Sequence, residues 1–335
     1  MKTSFLPRLV NGQTGDPALF VDLLRYKRAL LFDCGALTAL SPSEILRVTD
    51  LFVSHAHIDH FIGFDHLLRL HLGRGRRVRV YGPKGITACV HGKLSGYTWN
   101  LVRRQRLVFE AIEFDGLKQL ATEFHCRQKF RRGETRKLPG SDILLEDELV
   151  SVRTAILDHR IPSLAFAVSE RDFYNIDPVK LKACGLEPGP WLNDLKNWVR
   201  RGRRPGETIE VAGQSRNPAE LADQLLIVSP GRTLAYAADA LGSKKNIDKI
   251  VCLAHGADIL FCEGAFLHED KARAKETYHL TAHQAGQLAR AASVKRLVVF
   301  HFSPKYEGRF AELDEEAQQA FTSFANDETD GGDAG

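Results

Sequence analysis

The chain lacks any apolar run near the roughly 18 residues that a membrane-spanning helix requires, and no signal-peptide core follows Met1-Lys2-Thr3-Ser4-Phe5. The expectation is a cytoplasmic protein with no membrane partner. Its six cysteines contain no Cys-x-x-Cys pair, which argues against a disulfide framework. Cys34, Cys252 and Cys262 lie in apolar stretches and read as buried thiols. No internal sequence repeat is visible. Lys and Arg are missing from Ala311 onward, where eight acids accumulate, leaving the rest of the chain at +12. A basic body suits a polyanionic partner, although the same charge also fits an ordinary solvated surface. The remaining composition, 44% apolar and 26% charged over 335 residues, is that of a globular protein with one large domain or two small ones.

What the chain does have is a dense cluster. Ser54-His55-Ala56-His57-Ile58-Asp59-His60 follows the apolar run Leu51-Phe52-Val53 and places four metal-capable side chains within six residues. In an extended segment, residues two apart share a side. His55, His57 and Asp59 then converge while His60 turns away, which serves two adjacent metals better than one. His159, Asp239 and His301 also sit where an apolar strand gives out, and strand-end loops are where α/β folds carry chemistry. Together the seven make a binuclear centre, with one metal on His55, His57 and His159 and the other on Asp59, His60 and His301. Asp239 bridges them, because a carboxylate offers two oxygens. Such a pair can hold a hydroxide at neutral pH and stabilise an in-line displacement at phosphorus.

Apolar patterning predicts strands at 18–24, 29–32, 51–54, 78–83, 106–114, 149–156, 163–168, 225–228, 234–237, 259–262 and 296–300. It predicts helices at 59–72, 178–183, 191–201, 246–255 and 282–292, with another starting at Lys84. His66 and His71 fall within the first helix and read as structural or surface residues. Residues 116–140 carry Arg127, Lys129, Arg131, Arg132, Arg136 and Lys137 and form a loop or an added hairpin, which either contacts phosphate or is a solvated insertion. Residues 175–206 change character again, with Pro188-Gly189-Pro190, two tryptophans and a helix ending in Arg200 and Arg201. Cations there complement the helix dipole, while the tryptophans on a basic excursion suggest a contact device. The Gly/Asp-rich tail at 327–335 is expected to be disordered.

These residues resemble the metallo-β-lactamase superfamily, and within it the ribonuclease Z (tRNase Z) branch. Phe32-Asp33-Cys34-Gly35, Ser54 to His60, His159, Asp239 and His301 carry the superfamily likeness. The branch is marked by Leu157-Asp158-His159-Arg160-Ile161-Pro162-Ser163, by Tyr278-His279-Leu280-Thr281-Ala282-His283-Gln284-Ala285 and by His301-Phe302-Ser303-Pro304-Lys305-Tyr306. Gly185 to Lys196 is similar to the family's Gly-x-x-Pro-Gly-Pro segment. The resemblance implies an α/β fold, an αββα sandwich of two β-sheets flanked by helices over 1–326. Its exosite-like arm, 175–206, would contact RNA through Pro188, Gly189, Pro190, Lys196, Arg200 and Arg201. It also implies two divalent metal ions, zinc before manganese or iron, precursor tRNA as substrate, and a homodimer. Asp59 would bind metal and help deprotonate the attacking water, and His279 would donate a proton to the leaving 3′ oxygen, with His283 only a neighbour. The family's opening Gly-Thr-Gly and Pro-x-Lys-x-Arg-Asn loops are absent from 5–20, and 116–140 is longer than the family suggests. The alternatives are a hydrolase of small phosphodiesters or other esters on the same site, and a non-catalytic RNA-binding relative, against which the complete ligand set argues.

Overall fold

The computed structural model describes residues 5–24 and 26–323; the tail expected at 327–335 lies outside the described residues. The chain forms two compact units, one of 1–145, 152–168 and 233–335, the other of 146–151 and 169–232.

In the larger unit eight strands follow chain order across one sheet: Phe5–Leu9, Leu19–Leu23, Arg28–Phe32, Val48–Phe52, Arg77–Pro83, Val108–Phe114, Gln119–His125 and Arg132–Leu138. The four from Arg28–Phe32 to Val108–Phe114 are parallel. Their apolar runs, such as Leu30-Leu31-Phe32 and Leu51-Phe52-Val53, are buried throughout, as strands covered on both faces must be. A second sheet is ordered Leu297–Phe300, Ile259–Glu263, Thr233–Ala237, Pro162–Glu170, Val150–Asp158, Ile143–Glu146. Phe32, Phe52 and Tyr81 stack along the first sheet at 4.9 and 4.6 Å. Phe32 and Phe52 meet Phe166 of the second at 5.6 and 5.7 Å, and Phe32 meets Tyr236 at 6.0 Å, so an aromatic layer fills the space between the sheets. Helices Phe64–His71 and Ile86–Ser95 pack Leu67, Leu68, Val90 and Leu94 on the outer face of the first sheet. Helices Lys244–Ala254, Ala282–Ala291 and Phe310–Thr322 cover the second with Ile250, Leu288, Leu313 and Ala317. The architecture is the expected αββα sandwich. Among the described residues no helix is long and apolar enough to cross a membrane.

Three local expectations are corrected. The helix expected over 59–72 is two, Ile58–Phe61 and Phe64–His71. The break at Gly63 lets the Cys34-Gly35 turn dock: Gly63 N–H donates to the Cys34 carbonyl and Cys34 N–H to the His60 carbonyl, both at 2.8 Å. A Cβ on Gly63 would stand 2.0 Å from the Gly35 oxygen, so only glycine permits the approach. Cys252 is exposed, because its helix turns Ile250, Leu253 and Ala254 inward instead. The edge strand Phe5–Leu9 was not expected; Pro7 within it is tolerated where one side of the ladder is open. Residues 116–140 form the hairpin, with Gln119–His125 antiparallel to Arg132–Leu138. His71 is fully buried and donates from Nε2 to the Ile45 carbonyl at 3.2 Å.

The smaller unit has its own core. Helices Pro178–Ala183 and Pro218–Leu225 start with Asp177 and Asn217 as N-caps and proline in the first turn. With Trp191–Arg200 between them, they bury Leu181, Trp191, Leu195, Trp198, Leu221 and Leu225 against Ile209 and Val211. Trp191 and Trp198 are 7% and 3% exposed, and their indole N–H groups donate to the Glu187 and Arg204 carbonyls. The tryptophans are therefore the centre of a small hydrophobic core and not the contact device their basic neighbours suggested. Helical spacing puts 191, 195 and 198 on one face, and that face is covered by a helix the sequence did not announce.

Candidate active site

Each of the seven expected ligands lies at or just beyond a strand end of the larger unit, and the structure brings all seven together. Atoms of His55, His57, His159 and Asp239 lie within 4.8 Å of one another, as do those of Asp59, His60 and His301. Asp239 belongs to the first group and also to a third with Glu263, His279 and His301. Its Oδ2 is 3.6, 3.4 and 3.4 Å from the Nε2 atoms of His55, His60 and His159, and its Oδ1 is 2.8 Å from His301 Nδ1. This central place fits the bridging position. The simple alternation expected from an extended segment does not hold: His57 caps a helical turn, so Asp59 faces His60 (3.4 Å) and His301 (3.3 Å) and not His55.

A single buried carboxylate organises the histidines from behind. Asp33 accepts from Ser54 N–H (2.6 Å), the Ser54 hydroxyl (2.9 Å), His60 Nδ1 (2.8 Å) and the Tyr236 hydroxyl (2.8 Å). An ionised carboxylate can only accept, so His60 carries its proton on Nδ1 and directs the Nε2 lone pair into the site. The Ser54 proton is given to Asp33, so His55 Nδ1, 3.1 Å away, donates to Ser54 Oγ and its Nε2 is likewise a free lone pair. His159 Nδ1 donates to the Tyr278 carbonyl at 2.7 Å with the same effect. Burial, with His60 adding repulsion, pushes His55 down to about 2, so it is neutral, the form that binds metal. Burial resists charge on His301, yet Asp239 wins and raises it to about 10.

The donor set fits divalent metal. His55 Nε2 and His60 Nε2 are buried without a hydrogen bond, beside the Asp239–His301 pair at 2.8 Å. Buried polar atoms are almost always satisfied, and two imidazole lone pairs left open next to a buried carboxylate are what a cation would use. Backbone strain concentrates here too: Asp33, Asp239, Tyr278 and His301 all have positive φ, from 36° to 63°.

Two residues that the sequence reading passed over complete the site. In the sequence Asp33 stands out only as part of Phe32-Asp33-Cys34-Gly35. Glu263 ends strand Ile259–Glu263, is fully buried, donates nothing and accepts from Ala240 N–H (2.5 Å) and His279 Nδ1 (2.8 Å). Both sit where an apolar strand gives out, the same signal that picked out Asp239. Burial opposes a charge on His279, but Glu263 and then Asp239 raise it above the ordinary histidine value. His279 is 5.2 and 5.5 Å ring to ring from His159 and His301. His283 instead lies beside His268, the rings tilted and 4.6 Å apart. Pro188, Gly189, Pro190, Lys196, Arg200 and Arg201 belong to the smaller unit. Arg200 and Arg201 border a cavity of about 860 Å³ with Glu146, Asp147, Glu148 and Asp172, which offsets their charge.

The sequence and the fold are matched in known proteins. The ribonuclease Z of Deinococcus radiodurans is 31% identical over 324 residues, covering 94% of this chain and 96% of that one. The chain belongs to the ribonuclease Z family. As a member of it, the protein is a metal-dependent phosphodiesterase. Microcystis aeruginosa ribonuclease Z is also 31% identical, over 88% of this chain and 82% of its own. No family model matches. Among solved structures, the metallo-β-lactamase fold protein YhfI from Bacillus subtilis superposes with a TM-score of 0.56 at 15% identity, covering 94% and 92% of the two chains. The short form of human tRNase Z gives 0.51 at 20%, covering 90% and 93%. Both likenesses establish the fold.

Proposed function

We propose that this ribonuclease Z family member is an endonuclease that cleaves precursor tRNA at its 3′ end, using two divalent ions, zinc by preference. His55, His57 and His159 would hold one ion, Asp59, His60 and His301 the other, and Asp239 both. The observation that carries the reading is the meeting of these ligands with a Glu263–His279 pair at one point. When bound, two such ions supply Lewis acidity toward phosphate oxygens and acidify water.

The chain's own residues supply the proton traffic. Asp59 is partly exposed; although burial favours its neutral form, the hydrogen bond with His301 Nε2 at 3.3 Å, with His60 close by, holds it ionised, well below the usual carboxylate range. It can take a proton from water. His279, its proton affinity raised by Glu263, can carry a proton on Nε2 to the leaving 3′ oxygen while Glu263 fixes its ring through Nδ1. The body's +12 charge favours an RNA backbone, and Lys196, Arg200 and Arg201 remain candidates for RNA contact. A cytoplasmic, homodimeric enzyme goes with this reading. Purified protein should cut precursor tRNA next to the discriminator base, lose cutting in Asp59→Ala and be slowed about 10²- to 10⁴-fold in His279→Ala, the usual worth of a general acid. Turnover of a chromogenic phosphodiester with none of precursor tRNA would replace the reading by the small-substrate alternative.

A further inference from the structure

A cluster of exposed positive charge on the larger unit lies at the opposite end of its eight-stranded sheet from the histidines. Strand register brings it together. Arg77 pairs with Val108, Val108 with His125, and Phe124 with Arg132, so the segments 73–77, 101–107 and 125–132 lie side by side. The histidine motif follows Phe52, which pairs with Tyr81; Arg77 is four residues earlier, about 13 Å back along the sheet.

These three segments contain no Asp or Glu. The first exposes Arg74 and Arg76, the second Arg103, Arg104 and Arg106. The third exposes Arg127, Lys129, Arg131 and Arg132. Among the described residues none of these nine has a carboxylate partner, whereas Arg77, in the same row, is held by Glu110 and Glu123. Elsewhere on the unit Arg28, Arg47, Arg79, Lys93, Lys295 and Arg309 are all ion-paired. Gathering so many unpaired like charges costs self-repulsion. The turn that carries them is firmly seated: Phe130 and Cys126 are buried and Trp99 packs on Phe130 at 4.8 Å. Arg106 and Arg127 border one shallow cavity of about 240 Å³ with Gln105 and His125.

We propose that this pole binds the phosphate backbone of structured RNA, as a grip remote from the catalytic end; the inference rests on the reading of the enzyme as one that acts on RNA. Eight of the nine cations are arginine, whose planar fork pairs with phosphate in a bidentate way. Leu101 is the one large apolar side chain that these segments expose, and docking on a lipid surface draws on a broad apolar face as well.

The test compares two quadruple variants of the full chain. One is Arg103→Ala, Arg104→Ala, Arg127→Ala and Arg131→Ala. The other removes the same charge elsewhere: Lys244→Ala, Lys245→Ala, Lys295→Ala and Arg296→Ala. Affinity for a labelled RNA hairpin without a cleavable 3′ trailer is measured from 50 to 300 mM salt, and thermal melting checks folding. The pole variant is expected to bind about tenfold more weakly or worse, with the slope of log affinity against log salt reduced by about four, near one per lost phosphate contact. The second variant should change less than twofold. Equal effects in both variants, or wild-type affinity and slope in the pole variant, overturn the proposal. So does loss of binding to phosphatidylserine vesicles with hairpin binding intact. Should the quadruple variant melt early, Arg104→Glu with Arg131→Glu replaces it under the same criteria. Wild-type protein that fails to cut precursor tRNA while the pole variant loses hairpin affinity would sink the substrate reading and leave the pole standing; cutting with an unaffected pole variant does the reverse.

Discussion

Asp33→Asn replaces one buried oxygen by an NH₂ group and should disturb two candidate metal ligands, His55 and His60, that Asp33 holds from behind. In the wild type, Oδ2 receives three hydrogens, from Ser54, His60 and Tyr236, and Oδ1 receives the Ser54 amide. The amide oxygen can keep the Ser54 N–H. The NH₂ group faces three donors, of which the two hydroxyls can rotate and His60 cannot. His60 must move its hydrogen to Nε2, where it points at Asp239 and Asp59, 3.4 Å from each. The Ser54 rotation also removes the acceptor that fixes His55. Losing a hydrogen bond to a charged group costs about 1.5–3 kcal/mol, and with roughly 2.1 cal/mol/K of unfolding entropy per residue this lowers the metal-free melting temperature by about 2–4 °C. Metal affinity should fall about 10- to 100-fold, the usual cost of removing a partner behind a ligand. Competition with a chromophoric chelator and calorimetry of the metal-free protein measure the two effects. Wild-type metal affinity in a folded Asp33→Asn protein would refute the argument that tautomers are set from this carboxylate.

Three further outcomes follow from the geometry. In Glu263→Gln, His279 loses the charge that raises its proton affinity, so activity requiring its protonated form should fade at lower pH than in the wild type; a high-pH limb that does not move, measured as kcat/KM on RNA, contradicts the pairing. Burial pushes His71 down to about 4, so between about pH 6.5 and 4 the unfolded chain holds the extra proton and stability rises with pH, by up to about 1.4 kcal/mol per unit. His71→Gln should flatten urea-derived stability across that window and leave it parallel to wild type above pH 7. A Cβ on Gly286 would lie 2.3 Å from the Ala317 carbonyl and 2.7 Å from Ala320 Cβ, where helices Ala282–Ala291 and Phe310–Thr322 cross, so Gly286→Ala should cost about 1–3 kcal/mol in denaturant titration despite alanine's better helix propensity.

The metal motif was legible because its chemistry is local: no packing argument is needed to see three histidines and an aspartate in six residues. His159, Asp239 and His301 could be added because each stands where an apolar strand ends. Glu263 and Asp33 gave the same signal and were passed over, since a lone acid at a strand end has no partner visible in sequence; His279 and His60 are 16 and 27 residues away. The role of Trp191 and Trp198 was misread because exposure depends on what covers a helix face, and here the cover comes from Pro218–Leu225. The break at Gly63 was likewise set by a distant segment, Cys34-Gly35. Of the basic pole, only its last stretch stood out, because strand pairing, not sequence proximity, gathers the other two.

The seven candidate ligands are divided between the sheets. His55, His57, Asp59 and His60 hang from the eight-stranded sheet, and His159, Asp239 and His301 from the six-stranded one, up to 246 positions apart in the chain. Neither half can assemble the site alone, so any cation seated there is a rivet through the sandwich, and its binding energy is collected only after the aromatic layer has closed. Such long-range contacts form late in folding, and a ligand that binds only the folded state stabilises it by mass action. The cell's metal supply then acts on how long the two sheets stay shut as well as on how fast the enzyme turns over.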